Sequence, residues 1–358
     1  MNPSHILVSG GAGYIGSHAA YALKQAGYEP VVVDNLSTGN AWAASFGAFE
    51  QGDIGHCDFV RAVCEKYAPV AAMHFAAFIE VGESVRNPDK YFENNRDKAS
   101  RFFKTLNGCG VKKVVFSSTA AVYGDTSAVY RSAGGNGPVS ELYPTRPINP
   151  YGQAKLEAEA YLRMLDSDGL RSIALRYFNV AGAADIEAQI GEAHIPESHL
   201  IPRLVLPLID TPVVLLNALG LQDGFTIYGD DYPTQDGTAI RDYVHVLDLI
   251  DAHLRALDYL LNGGETDIFN LGSGAGFSVL EMVAAARKAL DRPDFSPAVA
   301  PRREGDPAIL VASNRKANRI LGWRPARGLQ DMIRDAAVWH RSALYRDAML
   351  ARMGVEAA

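Results

Sequence analysis

One turn near the start of the chain constrains its fold more than any other feature. Ile6-Leu7-Val8 is a short apolar run, and Ser9-Gly10-Gly11-Ala12-Gly13-Tyr14-Ile15-Gly16-Ser17 follows it directly. Helix formers then run from Tyr14 to about Ala26, and Gly27 ends them. A strand, a glycine turn and a helix in that order open a βαβ unit. The GxxGxxG spacing of Gly10, Gly13 and Gly16 lets the backbone approach a pyrophosphate seated on the helix N-terminus. A second apolar strand, Val31-Val32-Val33, ends at Asp34. A carboxylate there binds an adenosine ribose 2′-hydroxyl and repels a 2′-phosphate. No Arg stands beside it, so the pattern selects NAD over NADP.

The same rhythm continues. Helical spacing covers His56 to Tyr67, and Val70 to Phe75 is a third apolar run. A long helix is predicted from Pro88 to Leu106, then strands at Val114-Val115-Phe116 and Ser172 to Tyr177. Alternation of this kind predicts an α/β fold, a Rossmann-type doubly wound parallel sheet covered on both faces. After about Asn179 the pattern changes. Val180 to Pro202 is rich in Ala, Gly, Pro, His and Glu without clear periodicity. Further helices are predicted at Val246 to Leu261, Ser278 to Leu290 and Gly328 to Leu350. The resulting division is an NAD-binding domain over 1–179 with a return at about 236–262. A smaller mixed α/β substrate lobe takes 180–235 and 263–340, and 341–358 is a tail. Residues 127–138 read as a surface loop.

The 358 residues are 48% apolar and 21% charged, enough for a sizeable core. A net charge of −7 argues against nucleic acid or a membrane surface as the main partner. There is no run of 18 apolar residues. The N-terminus enters a strand at once, with no basic n-region, so secretion is not expected. Cys57, Cys64 and Cys109 are too few and scattered for a disulfide framework or a Cys-rich metal site. A cytoplasmic location and no metal are the expectations.

Chemistry centres on Asn149-Pro150-Tyr151-Gly152-Gln153-Ala154-Lys155. Asn149 is a plausible N-cap and Pro150 suits the first helical position. A helix there puts Tyr151 and Lys155 on one face, one turn apart. An ammonium near a phenol favours phenolate, which makes Tyr151 a usable base. Ser117-Ser118-Thr119 ends a strand, so its hydroxyls face the same crevice; Thr119 is placed to bond a substrate hydroxyl. Phe75-Ala76-Ala77 ends another strand, where small residues suit a crevice that holds cofactor. Asp53-Ile54 follows a short strand and is a candidate for the adenine. A plain turn accounts for Asp53 equally well on pattern alone.

Taken together these pieces resemble the extended short-chain dehydrogenase/reductase family and, within it, the UDP-glucose 4-epimerases. The resemblance runs from about Ile6 to His340. It rests on the glycine turn, Val33-Asp34-Asn35-Leu36, His74-Phe75-Ala76-Ala77, Ser117 to Gly124, Pro150-Tyr151-Gly152, Leu175 to Asn179, Arg241-Asp242-Tyr243 and Pro301 to Asp306. It implies NAD-dependent 4-epimerisation of a UDP-hexose through a 4-keto intermediate. Tyr151, Lys155 and Thr119 are then catalytic. Gly10, Gly13, Tyr14, Ile15, Gly16, Asp34, Asn35, Asp53, Ile54, Phe75, Ala76, Ala77, Asn94, Ser117 and Phe178 hold the cofactor side, with Tyr151 and Lys155. Asn179, His199, Leu200, Thr226, Tyr228, Arg241, Arg303 and Asp306 join Thr119 and Tyr151 on the UDP-sugar side. Arg241 and Arg303 take the pyrophosphate. A homodimer through the Pro88–Leu106 and Tyr151 helices is also implied.

The chain departs from the family in places. Phe78-Ile79-Glu80 stands where many members carry Lys or Ser. His199 stands where others have Asn, and either phosphate binding or a structural role fits it. Leu310 falls where side-chain size limits bulk at the sugar's C2. Ala120-Ala121 follows Thr119, where the related dehydratases carry an acidic pair, so water elimination lacks its acid and base. Other UDP-sugars, or a non-catalytic nucleotide-binding role, are the alternative readings.

Overall fold

The computed structural model describes residues 4–126, 137–184, 188–303 and 306–354. Its centre is a seven-stranded sheet in which every neighbouring pair is parallel. The strands are β1 (His5–Ser9), β2 (Glu29–Asp34), β3 (Ala48–Gln51), β4 (Ala71–His74), β5 (Lys113–Thr119), β6 (Arg171–Tyr177) and, far later, β10 (Asp267–Leu271). Their order is β10-β6-β5-β4-β1-β2-β3. It reverses between β1 and β4, so the crevice between the carboxyl ends of these two strands is the natural ligand site of such a sheet.

Burial on both faces explains why these strands read as unbroken apolar runs. Ile6, Val8, Met73, Val115, Ile173 and Leu175 pack on one side with the helix Val246–Leu261. Leu7, Val31, Val33, Val114 and Phe116 pack on the other with Phe102, Phe103 and Leu162. A second core gathers Ile201, Leu204, Leu215, Phe225, Met282, Ile333 and Trp339. Above it lies a mixed sheet of β7 (Asn179–Ala181), β9 (Ile240–His245), β11 (Gly276–Ser278) and β13 (Ile309–Leu310), with a small pair of β8 (Thr226–Tyr228) and β12 (Ala298–Ala300).

Three sequence expectations shift. Asp267–Leu271, placed in the second lobe by the sequence division, is the edge strand of the large sheet, with Phe269 and Leu271 fully buried. The predicted Pro88–Leu106 helix is instead Pro88–Tyr91, a π-type turn at Phe92–Lys98, and Ala99–Gly108. The predicted Gly328–Leu350 helix is two, Leu329–His340 and Ala343–Arg352, because the Ser342 hydroxyl accepts from Tyr345 N and starts a new helix. Among the described residues no helix is long and apolar enough to cross a membrane.

Candidate active site

The site begins at the glycine turn. Gly10 has φ +73°, and a Cβ on it would lie 2.4 Å from the backbone nitrogen of Ala76. Only glycine lets β1 and the segment after β4 come this close and still leave the crevice open. Gly13 caps the helix Tyr14–Gln25 without a side chain, so the first amides of that helix are free to meet an anion. Asp34 ends β2. Its Oδ1 accepts Leu36 N at 2.8 Å and its Oδ2 accepts Ala12 N at 3.1 Å, which fixes the carboxylate beside the turn. Burial raises its pKa, and the two amides oppose that rise.

Asp53 receives the ammonium of Lys98 at 2.6 Å and the amide of Gly55 at 2.8 Å. Asn35 donates to it at 3.3 Å, so these two cofactor-side candidates meet at the crevice rim. Ile54 is buried beside them. Tyr14 turns its hydroxyl away, donating to Gly182 O at 2.6 Å, while Ile15 packs into the sheet core. Asn94 donates to Asn95. Asn95 in turn holds Phe78 through both its amide (2.9 Å) and its carbonyl (2.8 Å). The Phe78 segment, which lacks the polar residue common at that place, is therefore pinned by a buried asparagine that no sequence pattern singled out.

The candidate catalytic corner is where β5 meets the helix Pro150–Met164. Asn149 caps that helix as predicted, accepting from Gly152 N at 2.8 Å. A Cβ at Gly152 would lie 2.6 Å from Ala121 O. The bare glycine lets the helix rest on the Thr119 turn, and Tyr151 is thereby brought to Thr119. Thr119 Oγ1 accepts from Ala121 N at 3.1 Å. Burial raises the Tyr151 pKa, and the neighbouring Thr119 hydroxyl works against that rise.

Lys155 is nearly fully buried, and its ammonium donates to Ser117 O at 2.8 Å. Burial pulls its pKa down to about 7, with Glu159 resisting. Glu159 itself is committed elsewhere: Arg176 binds it through Nε (2.9 Å) and Nη2 (2.5 Å), and Ser118 donates to it. The sequence reading has Lys155 lowering the Tyr151 pKa. In the structure the Tyr151 pKa is instead raised by burial, and it is Thr119, not Lys155, that opposes the rise. Ser117 Oγ is paired with the Tyr177 hydroxyl, a partner the sequence reading missed.

The far side of the crevice comes from Phe178 and the mixed sheet, whose strands Asn179–Ala181 and Ile240–His245 include residues the sequence division gave to the first domain. Phe178 is buried with Ala120, Val122, Tyr123 and Ala312, and Leu310 packs against this group. Asn179 donates to Asp242 O at 2.9 Å. Asp242 is wholly buried and accepts from Ser273 N (2.7 Å), Ser273 Oγ (2.6 Å), Gly274 N (3.1 Å) and Ala312 N (3.0 Å). It thereby locks β9, on which its neighbour Arg241 sits. Arg241 Nη2 lies 3.7 Å from Asp306, and the Arg303 guanidinium lies 3.9 Å from the ring centre of Tyr228. Thr226 and Tyr228 form β8 with β12 alongside. These residues make one cationic, aromatic corner. Residues 304–305 of the motif that ends at Asp306 lie outside the described residues, as do 127–136 of the surface loop.

A model of the NAD dependent epimerase/dehydratase family matches residues 6–272. This chain belongs to that family. A UDP-glucose 4-epimerase of Rhizobium meliloti (strain 1021) is 46% identical over 341 residues, covering 95% of this chain and 98% of its own. The structure of a UDP-glucose 4-epimerase from Brucella ovis in complex with NAD superposes with a TM-score of 0.84 at 43% identity, over 94% of this chain and 98% of that one. A counterpart from Stenotrophomonas maltophila, with bound NAD and formylated UDP-arabinopyranose, gives 0.84 at 37% identity, over 94% and 98%.

His199 faces two carboxylates. Its Nδ1 lies 2.6 Å from Glu192 Oε1 and 3.4 Å from Glu197 Oε1, so the imidazole is turned toward two buried carboxylates. Burial would lower its pKa, but Glu192 and Glu197 hold it well above the usual range. Leu200 beside it opens a short helix and packs on the second core. The Glu192–Glu197 pair escaped the sequence reading because its segment has no periodicity.

Proposed function

We propose that this chain is an NAD-dependent 4-epimerase that interconverts UDP-galactose and UDP-glucose through a 4-keto intermediate. The relatives at 43–46% identity carry that name. The observation that carries the reading here is the catalytic corner. One phenol, Tyr151, stands beside the Thr119 hydroxyl, on a helix that also carries the buried Lys155, and two alanines stand where water elimination needs an acid and a base.

The residues fit NAD. The glycine turn leaves backbone amides for the pyrophosphate, and the Asp34 carboxylate suits a ribose diol and repels a 2′-phosphate. Bound NAD supplies a hydride acceptor and then a hydride donor for the sugar's C4, so no net cofactor is consumed. Tyr151 removes the proton from the 4-hydroxyl and later returns it. Thr119 orients that hydroxyl. Lys155, one helical turn on from Tyr151, donates to Ser117 O at the end of the same strand that carries Thr119. Arg241 and Arg303 hold the UDP pyrophosphate, with Thr226 and Tyr228 along the uracil and Asp306 at the uridine ribose. Firm anchoring of UDP with few fixed contacts to the hexose lets the 4-keto sugar turn over between the two hydride transfers.

Incubation with UDP-galactose tests the proposal. UDP-glucose should form to equilibrium with no added reductant, and failure to form it with NAD supplied sinks the reading. A second reading is a 4-epimerase of a UDP-pentose or of UDP-GlcNAc: Leu310 packs on the Phe178 group, and bulk there favours the smaller sugar over the N-acetylated one. Comparing kcat/KM across these sugars separates the two. Cytoplasmic location and a homodimer that pairs the Tyr151 helices complete the proposal. Light scattering that finds a monomer removes the last part.

A further inference from the structure

From Glu192, His194, Glu197 and His199 we infer a binding site for one divalent transition-metal ion of the zinc class. Each side chain offers one ligand atom, and the four atoms lie within 4.8 Å of one another. Glu192 Oε1 lies 3.1 Å from His194 Nδ1 and 2.6 Å from His199 Nδ1. Glu197 Oε1 lies 3.4 Å from His199 Nδ1, and its Oε2 lies 3.9 Å from His194 Nδ1. Ligands about 2.0–2.2 Å from a tetrahedral zinc stand roughly 3.4 Å apart, and the observed distances bracket that value.

Hydrogen bonds account for only part of this arrangement: His194 Nδ1 is bonded to Glu192 Oε1 at 3.1 Å and His199 N to Glu197 Oε1 at 2.9 Å. Glu197 is 1% exposed at its side chain, and its Oε2 is buried without a hydrogen-bond partner. His199 Nδ1 is also buried and, though close to Glu192, is not aligned to donate to it. Among the described residues no lysine or arginine pairs with either carboxylate; the two imidazoles are their ion-pair partners. Two buried carboxylates need positive charge between them, and a dication with two neutral imidazoles balances them fully. Imidazole and carboxylate ligands without thiolate suit zinc and its first-row neighbours.

The surroundings hold the ligands in place. His199 N donates to Glu197 Oε1 at 2.9 Å, Arg203 Nη1 donates to Glu197 O at 3.1 Å, and Trp339 Nε1 donates to Glu192 O at 2.8 Å. Four protein ligands make a closed site of structural type. His194 also lines a small cavity with Ala12, Gly13 and Tyr14 of the glycine turn. The ion therefore ties the 192–199 segment down beside the mouth of the cofactor crevice.

Untagged protein, purified without chelator from zinc-supplemented medium, should carry about one ion per chain by plasma mass spectrometry. Replacement by Co²⁺ should give the visible absorption of a four-coordinate site with nitrogen and oxygen ligands. Metal removal should lower Tm by about 5 °C or more. Glu197→Gln and His194→Ala should abolish the ion and the Co²⁺ bands with the circular dichroism unchanged. The wild-type Co²⁺ spectrum decides the matter even if a variant does not fold. Metal-free protein that shows neither a Tm shift nor absorption on adding Zn²⁺ or Co²⁺ overturns the inference. So does an ion retained equally by both variants, because it then sits elsewhere.

Discussion

Two buried polar clusters lie in this molecule with opposite charge problems. At the catalytic corner a cation, Lys155, is enclosed with no carboxylate of its own, because Glu159 is taken by Arg176 and Ser118. In the 192–199 segment two anions are enclosed, and among the described residues their ion-pair partners are imidazoles. The first cluster rests on a strand end and a helix start, where backbone geometry sets the positions of side chains. The second hangs on irregular chain and is held by side chains bonding to it from outside. A cluster on regular elements can keep an unpaired charge ready for a reaction. A cluster on irregular chain gains its order from whatever neutralises it.

The comparison is most exposed at Tyr151. Tyr151→Phe should lower kcat by about a thousandfold while NAD stays bound, since a positioned general base contributes roughly 10²–10⁴. Turnover of UDP-galactose and the nucleotide released on denaturation measure both. Unchanged turnover would mean that the corner is not the reacting centre.

Lys155→Met should cost about a hundredfold in kcat and also change how stability depends on pH. The Lys155 pKa falls from 10.5 to about 7 on folding. Between those values the unfolded chain holds more protons, so stability rises with pH across that window, and the buried ammonium costs most below pH 7. The variant's advantage in urea unfolding should therefore be greatest below pH 7 and fade toward pH 10. A difference independent of pH would show that the lysine is not a strained cation.

At the far side of the crevice, Arg303→Ala should raise KM for the UDP-sugar about tenfold or more with kcat nearly kept, the cost of one charged hydrogen-bonding group. A fall in kcat at constant KM would move Arg303 into the chemistry. The smallest effect belongs to Leu310→Ala, which should shift the kcat/KM ratio of UDP-GlcNAc to UDP-galactose upward by about threefold to tenfold. No change in that ratio removes Leu310 from the sugar pocket.

Much of the large sheet was legible because its strands are buried on both faces, as Ile6-Leu7-Val8 and Val31-Val32-Val33 show. The Tyr151 helix was legible from Asn149 and Pro150, whose roles are local. Partners far apart in sequence were not. Nothing local tells that Asp242 meets Ser273 and Ala312, that Ser117 meets Tyr177, or that β10 returns to the sheet. The π-type turn at Phe92–Lys98 has the same composition as a plain helix, so it left no mark. Placement of the site residues follows this rule: those at strand ends fall at the crevice, while His199, in a segment without period, acquired neighbours that no pattern announced.

Gly152 has a consequence for how this corner can be altered. Ala121 contributes only its carbonyl to the contact and Gly152 contributes bare space, so the seating of Tyr151 depends on the backbone at 121 and on the absence of any side chain at 152. A directed-evolution library that aims to give this scaffold an acidic partner for new chemistry should therefore vary the side chain at 121 while sparing proline, whose missing N–H would cost the bond to Thr119. At 152, next to Tyr151 in the chain, it should leave the glycine alone.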